Sequence, residues 1–174
     1  DEERWIRAIE IHPGLIAAVH HQLTYLAPPE ATLQGVQSRA GALDLTFVGG
    51  WGPGVAPLAF ADGHGMRMPP NSSLFFQMHY HKEPGLGTGG IDQTSMGLYF
   101  HDDKPENVVE TLWLVDPALN IPPGDSNYHS WSSFTTEHEA VLFDYTPHMH
   151  LRGKAMTFTA EYPNGEKEIL LDVP

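Results

Sequence analysis

Apolar and polar residues alternate along this chain with a period of two rather than the helical period of about 3.6. The alternation runs through RWIRAIEIH (4–12), AAVHHQLTYL (17–26), ALDLTFV (42–48), SLFFQMHYH (73–81) and SMGLYFH (95–101). It continues in VVETLWLV (108–115), YHSWSSFTT (128–136), AVLFDYT (140–146), KAMTFTAEY (154–162) and KEILLDV (167–173). These stretches are rich in β-branched and aromatic residues, which suit a pleated, half-buried surface. Between them stand HPG, APPE, GGWGPG, MPPNSS, KEPGLGTGG, DDKPEN, IPPGDSN and YPNGE. Such clusters end strands because proline fixes φ and glycine supplies positive φ. Asn164-Gly165 predicts a hairpin turn of the primed type.

Many short strands joined by glycine and proline turns predict an all-β chain of antiparallel jelly-roll β-sandwiches. No long amphipathic helix fits the pattern, and residues 30–40 have room for a short helical turn at most. DPALNIPPGDSN (116–127) suits a linker. It divides the chain into residues 1–118 and 119–174, parts of two consecutive sandwich domains. The first residues already read as a strand and the last ones still do. The expectation is a piece of a longer polypeptide, completed by the rest of the same chain or by a partner.

Composition narrows the chemistry. The formal charge is −13 with only 9 Lys+Arg among 174 residues, so no basic face for nucleic acid can be assembled. There are no cysteines, which removes disulfides, thiolate metal sites and cysteine nucleophiles. No apolar run reaches the roughly 20 residues of a membrane-spanning helix. No phosphate-binding loop, dinucleotide fingerprint or serine nucleophile elbow is present. The 11 histidines outnumber the 9 Lys+Arg, and they direct attention to metals.

Three histidine groups stand out. His20 and His21 are adjacent, and adjacent residues of a regular strand point to opposite faces. They reach one ion only where the strand twists or bulges. His79 and His81 share a strand face at roughly 7 Å spacing, with Gln77 on that face to orient an imidazole. His148 and His150 repeat the His-x-His arrangement behind Pro147, a common way to present two nitrogens to copper or zinc. His64 lies between Gly63 and Gly65, where the backbone can be approached closely. Taken singly, each group also fits an ordinary polar strand face.

The order VHHQLTYL (19–26), FFQMHYH (75–81), IPPGDSNY (121–128), PHMHLRGK (147–154) resembles the copper type II, ascorbate-dependent monooxygenases. This family includes the peptidylglycine α-hydroxylating and dopamine β-hydroxylating enzymes, and the likeness is greatest to bacterial-type relatives. The resemblance covers most of the chain. It implies two jelly-roll sandwiches with one copper each, reduced by ascorbate or a cytochrome-type donor. His20, His21 and His79 then match the electron-donating copper, with Gln77 beside it. His148 and His150 match two ligands of the oxygen-activating copper, and the family's methionine ligand falls downstream of Pro174. His81 and His64 are further candidates. The implied activity is hydroxylation of a C–H bond in a small-molecule or peptide-like substrate, outside the cytoplasm. Thr146 stands where the peptide-hydroxylating branch has an arginine, which argues against peptide amidation. The alternative is a non-catalytic β-sandwich that keeps the histidines while serving as a structural or docking subunit of a larger extracytoplasmic, membrane-associated assembly.

Overall fold

The computed structural model describes residues 2–32, 45–81, 90–149 and 152–174. Every regular element among them is a strand: β1 Arg4–His12, β2 Val19–Ala27, β3 Thr46–Trp51, β4 Leu58–Ala59, β5 His64–Met68, β6 Ser73–Tyr80, β7 Ser95–Phe100, β8 Asn107–Val109, β9 Met156–Glu161 and β10 Lys167–Val173. The chain is all-β, with sheets that are antiparallel except where β5 meets β8. It separates into two compact units, Asp1–Val115 and Asp116–Pro174.

The first unit holds two sheets. In one, β1 carries β7 along one edge, while β4 and β5 share the other edge in succession. β8 then adds to β5 in parallel. In the other, β2 lies between β3 and β6. Ile6, Ile9, Ile11, Leu26, Val48, Met66 and Val109 form the buried cluster, drawn from strands of both sheets. Full burial of such a side chain stabilises by about 1.5–3 kcal/mol.

Strict alternation would place Arg7, not Ile6, on the same face as Ile9 and Ile11. The ladder between β1 and β7 shifts register between Ile6 and Ala8. This irregularity absorbs one residue, so Ile6 and Ile9 both face inward and Arg7 stays exposed. The extra residue of a bulge changes the phase of everything beyond it. The guanidinium of Arg7 lies over the ring of Tyr99, and the Tyr99 hydroxyl donates to Glu10 at 2.7 Å.

Two polar side chains enter this core from β2. Gln22 and Thr24 are fully buried. The Gln22 amide nitrogen donates to the Thr24 hydroxyl at 2.6 Å, and that hydroxyl donates to the Met96 sulfur at 3.6 Å. The Gln22 amide oxygen is buried with no hydrogen-bond partner, a state that ordinarily costs about 1–3 kcal/mol.

The second unit contains the β9–β10 hairpin. Its turn differs from the one predicted. Gly165 has φ of +84°, but Asn71 is the only described non-glycine residue with positive φ. A primed turn on Asn164-Gly165 needs positive φ at both. Instead the Gly165 N–H returns to the Tyr162 carbonyl at 2.8 Å, so Pro163 and Asn164 are the central pair. Proline pre-sets the first central position of a type I turn, and Gly165 follows in the left-handed region.

Other expectations also change. β8 spans only three residues, overlapping the start of the predicted strand 108–115, and no strand forms in 128–136 or 140–146. Strand conformation persists where backbone groups find a ladder partner, and these segments join none of the described ladders. Trp131, Phe134 and Val141 are accordingly exposed. Thr111 and Trp113 do lie against the first unit's sheet. The Thr111 hydroxyl donates to the Phe47 carbonyl at 3.0 Å, and Trp113 stacks on Tyr25. Conversely, the alternation does not predict β4 and β5, because glycines flank and interrupt ADGHGMRM. Most of the segments 30–40 and GLGTGG, and the start of 42–48, lie outside the described residues.

Ile6 sits at the phase change and is fully buried, so Ile6→Ala should destabilise by about 2–5 kcal/mol. Ile169, on the exposed face of the hairpin, should tolerate alanine within about 0.5 kcal/mol. Urea unfolding of both variants checks the contrast.

Candidate metal centre

The pattern of β2 holds the same kind of irregularity as β1, and here it creates a site. Gln22, Thr24 and Leu26 face the core. Regular alternation would send His20 inward with them. Yet Val19 is buried and His20 is exposed. The pairing with β6 explains this: Val19 opposes Tyr80, His21 opposes His79, and the register shifts between them. Two residues of β2 span one step of β6, so His20 is the surplus residue. The bulge turns its imidazole out beside that of His21, one of the two ways in which neighbouring histidines of a strand reach a single ion.

His79 arrives by register. It lies directly across from His21, and opposite residues in an antiparallel pair bring their Cβ atoms to about 4.5–5.5 Å. The three rings cluster at centroid separations of 5.2 Å (His20–His21), 4.8 Å (His20–His79) and 4.6 Å (His21–His79). The Nδ1 of His21 is 3.0 Å from that of His20 and 3.3 Å from that of His79. One candidate ligand atom from each residue falls within 4.8 Å of the other two. His20 and His79 are exposed and His21 is half-buried.

These distances suit a shared ion. Metal–imidazole bonds of about 2.0–2.1 Å at a tetrahedral angle separate the nitrogens by roughly 3.3 Å. Mutual hydrogen bonding serves the cluster less well. A ring nitrogen has one proton or one lone pair in the ring plane, so the Nδ1 of His21 satisfies one neighbour and not both. A cation meets all three lone pairs at once. The cluster can therefore hold a metal ion such as copper.

A residue that sequence reasoning missed holds both ligand strands in place. Asp92 precedes β7. Its carboxylate accepts the Leu15 backbone N–H at 2.9 Å, the Tyr80 hydroxyl at 3.0 Å and the Thr94 hydroxyl at 2.8 Å. Leu15 opens the turn that leads into β2, its carbonyl accepting from the N–H groups of Ala18 and Val19. Tyr80 follows His79 directly. One carboxylate thus ties the approach to His20 to the end of β6. The close approach depends on Gly14, where a Cβ would come within 2.5–2.9 Å of the Gln93 backbone. Desolvation works to raise the Asp92 pKa, but hydrogen bonds from Thr94, Tyr80 and Leu15 outweigh it and hold the carboxyl below its ordinary value. The same contact raises the Tyr80 phenol.

Gln77 lies on the same face as His79, as predicted from the alternation, but its amide oxygen accepts from the Tyr25 hydroxyl at 3.4 Å. His81 follows the end of β6, with its ring 6.4 Å from that of His20. His64 is elsewhere, on β5 of the other sheet. Its Nδ1 contacts the Asp62 carbonyl at 2.9 Å, and its own carbonyl contacts His101 Nε2 at 2.9 Å. His148 is in the second unit and exposed, and His150 lies outside the described residues. The strand expected to lead into that pair does not form. Among the described residues, His20, His21 and His79 make the one cluster with metal-ligand geometry.

Compared with known proteins, the chain matches no family model, no curated protein and no solved structure.

His79→Ala should weaken Cu(II) or Zn(II) binding at this cluster by more than about 100-fold, while Asp92→Ala should cost about tenfold by loosening the ligand strands. His64→Ala should leave it intact; isothermal titration separates the three. Because the folded Asp92 carboxyl is depressed, its stabilising contribution is fully present above its unfolded value of about 3.9. That contribution disappears as pH falls through the lower folded value. Melting curves of the metal-free protein and its Asp92→Asn variant should therefore differ at neutral pH and converge in acid.

Proposed function

We propose that this chain is the copper-binding part of a monooxygenase that hydroxylates a C–H bond, using O2 and an external reductant such as ascorbate or a cytochrome-type donor. The observation that carries this reading is the bulge at His20. Without it the His-His pair would straddle the sheet; with it three imidazoles share one exposed face. The reading also rests on the order of the HH, QMHYH and HMH motifs, which resembles the copper type II, ascorbate-dependent monooxygenases.

In this reading His20, His21 and His79 hold the electron-donating copper, and His148 with His150 supplies two ligands to a second, oxygen-activating copper. The two units belong to consecutive jelly-roll sandwiches of an extracytoplasmic protein. Bound copper would supply one-electron redox steps between Cu(I) and Cu(II). The chain's own contribution is positional. Neutral imidazoles accommodate both oxidation states. The Asp92 carboxylate keeps the two ligand strands at fixed separation. Gln77 and Tyr25 continue the polar and aromatic surface along the same face. Thr146 offers no cation for a peptide carboxylate, which argues against α-amidation of peptides.

A second reading, a structural or docking subunit, draws on the exposed apolar side chains of residues 119–143. It needs no redox chemistry. Elemental analysis with oxygen uptake discriminates the two. Under the oxygenase reading, His21→Ala and His148→Ala each remove about one copper per chain, and each abolishes reductant-dependent oxygen uptake. Copper loss without any effect on oxygen uptake would favour the structural subunit, and unchanged copper in both variants would defeat the copper assignment.

A further inference from the structure

His81 is the fourth imidazole on the face that holds the three-histidine cluster, and its backbone is fixed there. Its N–H donates to the Ala18 carbonyl at 2.7 Å. That bond carries the β2–β6 pairing one residue past the end of β6, alongside the approach to His20. Alternation from His79 keeps the His81 side chain on the ligand face. Its ring is 6.4 Å from that of His20, where His79 stands at 4.8 Å. His81 is thus next to the cluster but outside its ligand spacing.

Building on the copper reading above, we propose that His81 is a redox-dependent fourth ligand, bound to Cu(II) and released from Cu(I). The two oxidation states ask for different ligand sets. Cu(II) favours a tetragonal arrangement with four donors near one plane. Cu(I) has a filled d shell and no such demand, so three imidazoles suffice. His20, His21 and His79 supply three nitrogens in either state, and His81 supplies the fourth only to Cu(II). On reduction the electron comes from the external reductant, the His81–metal bond breaks, and the imidazole leaves as a neutral group.

The test uses the His148→Ala, His150→Ala background, so that only this cluster loads, and substoichiometric Cu(II) sulfate. Pulsed EPR counts the coordinated imidazoles through their remote nitrogens. Four are expected, falling to three on adding His81→Ala. Added free imidazole should restore the fourth in a His81→Gly variant, which a folding defect would not allow. In parallel, chelator competition should show Cu(II) binding weakened about tenfold by His81→Ala and Cu(I) binding unchanged. That difference raises the one-electron potential by about 59 mV. Equal imidazole counts with and without His81 would overturn the fourth ligand while leaving the three-histidine copper site standing. Absence of any copper signal from the cluster would overturn both.

Discussion

The arrangement at the start of β2 depends on one backbone irregularity. A strand offers two faces and assigns residues to them alternately. Gln22, Thr24 and Leu26 commit one face of β2 to the core. The same parity would bury His20 and leave His21 alone on the outside. The bulge between Val19 and His21 releases His20 from that parity without disturbing the buried row that follows. Core packing and ligand presentation make opposite demands on one short strand, and a single unpaired residue satisfies both.

The two sheets of the first unit meet the same constraint in two ways. In β1 the phase change serves packing, bringing Ile6 into line with Ile9 and leaving Arg7 outside. In β2 it brings three imidazoles together on one face. The β1 irregularity sits where strands pair along both edges, whereas the β2 bulge faces β6 alone, just before the β3 ladder begins at Gln22. The Asp92 carboxylate adds a tether at the open end, where β2 begins and β6 finishes. The buried Gln22–Thr24–Met96 chain lies directly behind, polar side chains set in an apolar layer close beneath the histidines.

Much of this was legible in the sequence because it is written locally. Period-two alternation marked β1, β2, β6, β7, β9 and β10, each within a few residues of its ends. The histidines that converge were recognisable as residue types at suggestive spacings, and the need for a bulge between His20 and His21 follows from strand geometry alone. What was not legible depends on distant partners. Nothing in IDQT announces that Asp92 meets Leu15, a contact separated by 77 residues. YHSWSSFTT and AVLFDYT have strand composition, but composition supplies no ladder partner. HGMRM forms β5 despite its glycine because β1 and β8 flank it. In YPNGE a proline one position earlier overrode the strong Asn-Gly preference.

Residues 21 and 79 stand 58 apart in the chain, and the sheet has already brought them together by register. The loss of chain freedom needed to gather these ligands is incurred when β2 and β6 pair, not when an ion arrives. Small metal domains whose ligands assemble only around the ion fold and bind in one event, and chelation unfolds them. A centre built on paired strands behaves differently. For an ion taken up at such a cluster, exchange would be governed by ligand bonds and solvent access, and occupancy would follow metal supply without exposing the hydrophobic core.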